Sequence, residues 1–178
     1  MDRMDRAKEL FLKYSGNRFY MDLNGEGHEY AGYDVSKETE EAWAREYISR
    51  FFESEKQGKE ALNAYSSVTV FLKSGRYNED LKRGLYYPLR SEHLDDVTIL
   101  FMLKISYSLA ESMAKKRILS RMEKNEYLKE LDSYSLKALE RMEKGSLTRA
   151  DDYVMNEFSD PDYVKGYLND LRKKWKGL

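Results

Sequence analysis

The chain of 178 residues is 41% hydrophobic and 35% charged, which supplies apolar material for one core without the length that would demand two. Its 31 Lys and Arg balance 32 Asp and Glu to a net charge of -1, so a chain-wide attraction to nucleic acid or to an anionic membrane is excluded and any such contact has to be local. Cysteine is absent, which excludes thiol catalysis, disulfides and thiolate-bound zinc together.

No apolar leader opens the chain, and the most apolar stretch, VTILFMLKI, is broken by Lys104 well short of a bilayer span. A soluble, cytoplasmic protein without membrane contact is expected. Only 2 prolines suit long helices, and 15 tyrosines suit a contact surface, since the ring contributes apolar area while its hydroxyl tolerates water.

Taken in chain order, Leu10, Phe11 and Tyr14 share a helical face that Ser15-Gly16-Asn17 ends. FYMDLNGEGHEY follows, with Asn24-Gly25 between alternating residues, the pattern of a two-residue hairpin turn. The pairing puts Phe19, Met21, Leu23 and Tyr30 on one face, with Tyr20, Asp22 and Glu29 on the other. Val35-Ser36 reads as staple and N-cap for a helix striped by Trp43, Tyr47, Ile48, Phe51 and Phe52. Leu62, Tyr65, Val68 and Leu72 mark another helix stopped at Gly75, although its VTVFL core could also be a strand. A short helix from Asn78 is expected to end near Pro88. Ser91 then caps a long central helix from about Glu92 to Arg117, apolar on nearly every side. Leu128, Leu131, Ser135, Ala138, Leu139 and Met142 stripe the next, closed by Gly145. Thr148 with Asp151 predicts a short helix bearing Val154 and Phe158, and Asp160-Pro161 starts the last. The expected fold is mainly α (α+β), a bundle of about six or seven helices with an N-terminal two-stranded β-hairpin. Residues 1–178 form one domain in this reading, with the hairpin over about 18–33 and the helical body over about 36–176.

Three groups of residues invite chemistry. Asp22, Asn24, Glu26 and Gly27 imitate the first half of a calcium loop, but Tyr33 stands where the bidentate Glu belongs, so the stretch reads as a turn. Glu92, Asp95 and Asp96 gather acids that a metal-assisted hydrolase could use, and equally suit a helix start, where the positive dipole end favours carboxylates. LRKKWKGL sets Arg172, Lys173, Lys174 and Lys176 around Trp175. Nucleic-acid contact there is not expected unless these cations are continuous with Lys115, Lys116 and Arg117 on one face. With two histidines, no nucleophile elbow and no glycine-rich phosphate loop, no cofactor is expected and catalysis has little to build on.

The favoured expectation is a small non-enzymatic interaction protein that binds a protein partner, or itself as a homodimer. Its contact surface would be the hairpin edge with Tyr20, Tyr30, Tyr33, Tyr86 and Tyr87. The acidic-cluster hydrolase is the alternative, and a toxin-neutralising or regulatory role a third, by analogy of architecture.

Overall fold

The computed structural model describes residues 2–73, 78–148 and 160–178, which form nine helices and, among these residues, no strand. Two compact units divide the chain, Met1–Ser54 and Glu55–Leu178.

In the first unit α1 (Arg3–Lys13), α2 (Arg18–Leu23), α3 (Gly27–Ala31) and α4 (Lys37–Glu53) follow one another. The expected β-hairpin over 18–33 is absent and in its place stand α2 and α3. Asn24-Gly25 does turn the chain, but as a helix terminator. A hairpin turn of the expected type needs positive φ at both residues, and here Gly25 has φ +76° while Asn24 has φ -94°. The Glu26 amide donates to the Met21 carbonyl at 2.9 Å and the Gly25 amide to Asp22 at 3.0 Å, the paired bonds of a Schellman cap. Asn-Gly announces a left-handed residue without saying which element precedes it. Burial over residues 18–23 follows the helical period, with Met21 inward and Phe19 and Leu23 outward, rather than the alternation a strand needs. At Gly27 a Cβ would lie 1.7 Å from Asp22 Oδ1, so the exposed Asp22 side chain lies over the start of α3 in space that a larger residue would make it give up.

α1 ends in the same way, with Ser15 at φ 49° and the Gly16 amide bonded to the Phe11 carbonyl at 2.8 Å. Ala7, Leu10 and Phe11 of α1 meet Met21, Tyr30, Ala44 and Ile48 in the core of this unit. Phe11 lies between the rings of Tyr30 (6.5 Å) and Trp43 (5.8 Å). Ser36 caps α4 as expected, its Oγ accepting the Thr39 amide at 3.2 Å.

The second unit contains α5 (Gly58–Lys73), α6 (Asn78–Arg90), α7 (Asp96–Lys115), α8 (Arg121–Glu143) and α9 (Pro161–Gly177). VTVFL and VTILFML are both helical. α7, 20 residues long and apolar enough to cross a bilayer, packs against α5, α6 and α9 as the central helix. It begins at Asp96 rather than Glu92, because Asp95 makes the cap, accepting the Thr98 amide at 2.9 Å, while Ser91 turns back to bond the Tyr87 carbonyl. α6 continues past Pro88 to Arg90, against the expected stop. Proline there deprives the Gly84 carbonyl of its helical donor, and the fully buried Tyr65 hydroxyl of α5 supplies the bond instead at 2.8 Å. Ser120 and Glu123 form a reciprocal capping box at α8, and Asp160 with Pro161 opens α9. The Gly75 stop, Asp151 and the short helix with Val154 and Phe158 lie outside the described residues.

Candidate functional site

The acids proposed for a metal site face different tasks. Asp95 is held by Thr98 as the cap of α7. Asp96 is buried and pairs with Arg141 through Oδ1, while its Oδ2 accepts the Thr148 amide and hydroxyl, both at 3.0 Å. The Tyr134 hydroxyl, pushed well above its usual pKa first by burial and then by the Asp96 charge, donates to the Asp96 carbonyl at 3.3 Å. In return the Asp96 amide donates to Thr148 Oγ1 at 3.0 Å and the Val97 amide to the Thr148 carbonyl. Asp96 therefore joins the start of α7 to the end of α8, with its lone pairs already engaged. Glu92 points into solvent, and His93 meets the Tyr87 hydroxyl at 3.3 Å. Among the described residues no group of three His, Asp or Glu side chains is placed to hold a metal ion.

The calcium-like stretch is likewise committed to structure. Glu26 accepts from Lys13 at 2.6 Å, from the Tyr14 hydroxyl and from Arg6, and Arg6 also reaches Glu29 at 2.8 Å. Hydrogen bonds from Lys13 and Tyr14 lower the Glu26 pKa, and those from Arg6 and Tyr33 lower that of Glu29. These ion pairs fasten the α2–α3 turn to α1.

The five tyrosines proposed for a contact surface separate. Tyr30 is in the core of the first unit, its hydroxyl donating to Glu40 at 2.8 Å with the Arg18 guanidinium 4.0 Å above its ring. Tyr86 and Tyr87 are buried in the second unit, Tyr86 against Tyr127 and Tyr87 stacked on Tyr65 at 5.9 Å. Burial raises all three hydroxyl pKa values. Tyr33 is half-buried and donates to Glu29 at 2.9 Å. Only Tyr20 is largely exposed, at 51%.

Tyr20 has company that the sequence did not place beside it. Phe19 is 67% exposed and Leu23 69%, while Met21 between them is fully buried. Helical geometry accounts for this arrangement. Phe19 and Leu23, four residues apart, share the side of α2 opposite Met21, whereas two-residue alternation had assigned all three to one inner face. The Phe19 and Tyr20 rings meet edge to face at 5.5 Å. The result is a contiguous aromatic and aliphatic surface on a helix whose other side is anchored.

A cleft of about 270 Å³ separates α8 from α9, floored by Leu139 and Leu168 with the exposed Leu136 at its lip. At one end Arg172 donates to Asp132 at 2.8 Å, so the one carboxylate in the cleft is neutralised. The cleft offers no free general base beside a nucleophile. Comparison with known proteins finds no matching family model, no matching curated protein and no matching solved structure.

Proposed function

We propose that the chain is a protein-interaction module whose contact surface is the exposed face of α2. The observation that supports this reading is the joint exposure of Phe19, Tyr20 and Leu23 on one short helix. Clustered large apolar side chains in water cost free energy that a partner recovers by covering them, and aromatic residues are enriched where proteins meet. The partner is a second copy of the chain or another protein.

Light scattering over a dilution series tests the reading, together with photo-crosslinking from position 20. Self-association, or one saturable crosslinked partner, is expected for the native chain. Phe19→Ser with Leu23→Ser should abolish it while leaving helicity unchanged, since neither side chain contributes to the core. Association or crosslinking that survives this pair, or a monomer that crosslinks to nothing, overturns the assignment of α2 as the contact surface.

A further inference from the structure

The net charge of -1 conceals how charge is arranged in the second unit. Helices α5 to α9 alternate in direction, so the C-terminal ends of α5, α7 and α9 meet the N-terminal ends of α6 and α8. Side chains tie these ends together. Lys116 donates to the Lys73 carbonyl, Lys82 pairs with Glu123, and Lys124 donates to the Lys176 carbonyl at 3.1 Å. The last turns of α5, α7 and α9 are basic, as suits the negative end of a helix dipole. Alternation then collects on one face what each helix carries separately. The C-terminal cations Lys174 and Lys176 are thereby made continuous with Lys116 and Arg117, with Arg121 and Lys124 of α8 between them.

None of these six cations has an ion-pair partner among the described residues, whereas Glu111, Glu123 and Asp170 are each already paired with another lysine. Among the described side chains, Asp80 and Glu126 are the acids left over at this end. Three helix C-termini and two N-termini sum to only about half a negative charge, which leaves the face decidedly positive.

Its chemistry distinguishes between anionic partners. Met122, on the first turn of α8 beside Arg121, is 76% exposed, more than any other large apolar residue described. Ile118 and Leu119 in the preceding turn are half-buried. No exposed Phe, Tyr or Trp described here lies at this end to stack on a base. An array of mostly lysine charges around one exposed thioether matches a lipid boundary better than a base edge. We propose that this face docks peripherally on an anionic bilayer, its cations against headgroup phosphates and Met122 in the layer between headgroups and acyl chains.

The full chain is tested by co-sedimentation with vesicles of phosphatidylcholine alone and of phosphatidylcholine with about one-third phosphatidylserine. Binding is expected to the second only, and to weaken with added salt. Arg121→Ala with Lys174→Ala should lower partitioning on the order of 25-fold, at about fivefold per cation. Lys129→Ala with Lys137→Ala, an equal charge change elsewhere on α8, should change it little, and Met122→Ser should lower it at constant charge. All five positions are exposed, and circular dichroism confirms that each variant keeps its helicity. Failure to bind phosphatidylserine vesicles, equal binding to both vesicle types, or equal loss from the two charge pairs overturns the proposal. So does release from the vesicles by duplex DNA at matching phosphate concentration, which would assign the face to nucleic acid.

Discussion

Tyr65 shows how one side chain determines what a neighbouring helix can tolerate. Its hydroxyl occupies the carbonyl of Gly84 that Pro88 leaves without a donor, in a place from which water is excluded. Tyr65→Phe is therefore expected to cost about 1–3 kcal/mol, the penalty for an orphaned buried acceptor. The same change in a Pro88→Ala background should cost less, because residue 88 then has an amide to offer Gly84. Denaturant titration of the four proteins gives the coupling directly, and additive effects would show that the two residues do not act through that carbonyl. Asp96 is a second such point. Asp96→Ala strands Arg141 and Thr148 and unfastens the start of α7, so a loss of about 2–3 kcal/mol is expected by the same measurement, less than for a wholly buried pair because the Arg141 side chain is 36% exposed. In the sequence Asp96 could only be read as an acid near a helix start; Arg141 and Thr148, which define its role, lie 45 and 52 residues away.

At the scale of elements, caps were the most legible feature. Ser36, Asp160-Pro161 and Gly145 end or begin helices where their local chemistry says they should, because a cap is decided within four residues. The N-terminal turn was misread for a related reason: the positive φ at Gly25 suits a hairpin and a Schellman cap alike. Gly25→Ala should destabilise the first unit by about 1 kcal/mol through backbone strain alone, since nothing lies within 4 Å of the added methyl, whereas Gly27→Ala has only to turn the exposed Asp22 carboxylate aside and should cost less. Thermal unfolding of the two variants ranks them, and a larger loss for Gly27→Ala would show that Asp22 cannot turn away from α3. The capping box of α8 has a pH signature. Lys82 first, then the Ser120 amide and hydroxyl, hold the Glu123 carboxyl down to about 2, against 4.5 for the ordinary group. A depressed carboxyl stabilises the fold fully above its unfolded value, and that contribution disappears as pH falls from about 4.5 toward 2. The stability advantage of the native chain over Glu123→Gln should be present at neutral pH and absent by pH ~2; an advantage that persists at the acid end would refute the assignment.

For the molecule as a whole, the division into two units carries its own expectation. The second unit holds Leu100, Leu103, Leu131, Leu168 and Trp175 in a core drawn from its own helices, so a fragment over Glu55–Leu178 should keep a cooperative thermal transition. A fragment that melts without cooperativity would show that the unit depends on the rest of the chain. Sequence alone determined that this protein is mainly helical and that α7 is the central helix of its unit, because periodicity, caps and apolar density are local and survive without knowledge of the neighbours. It also excluded thiol chemistry and limited any anion binding to a patch. Only the tertiary structure decided which tyrosines are core and which surface, that Phe19 and Leu23 face outward, and that Glu92, Asp95 and Asp96 part company. It alone decided where charge accumulates, because a net charge is a sum over residues, whereas a charged face depends on which helix ends the alternating chain direction brings together.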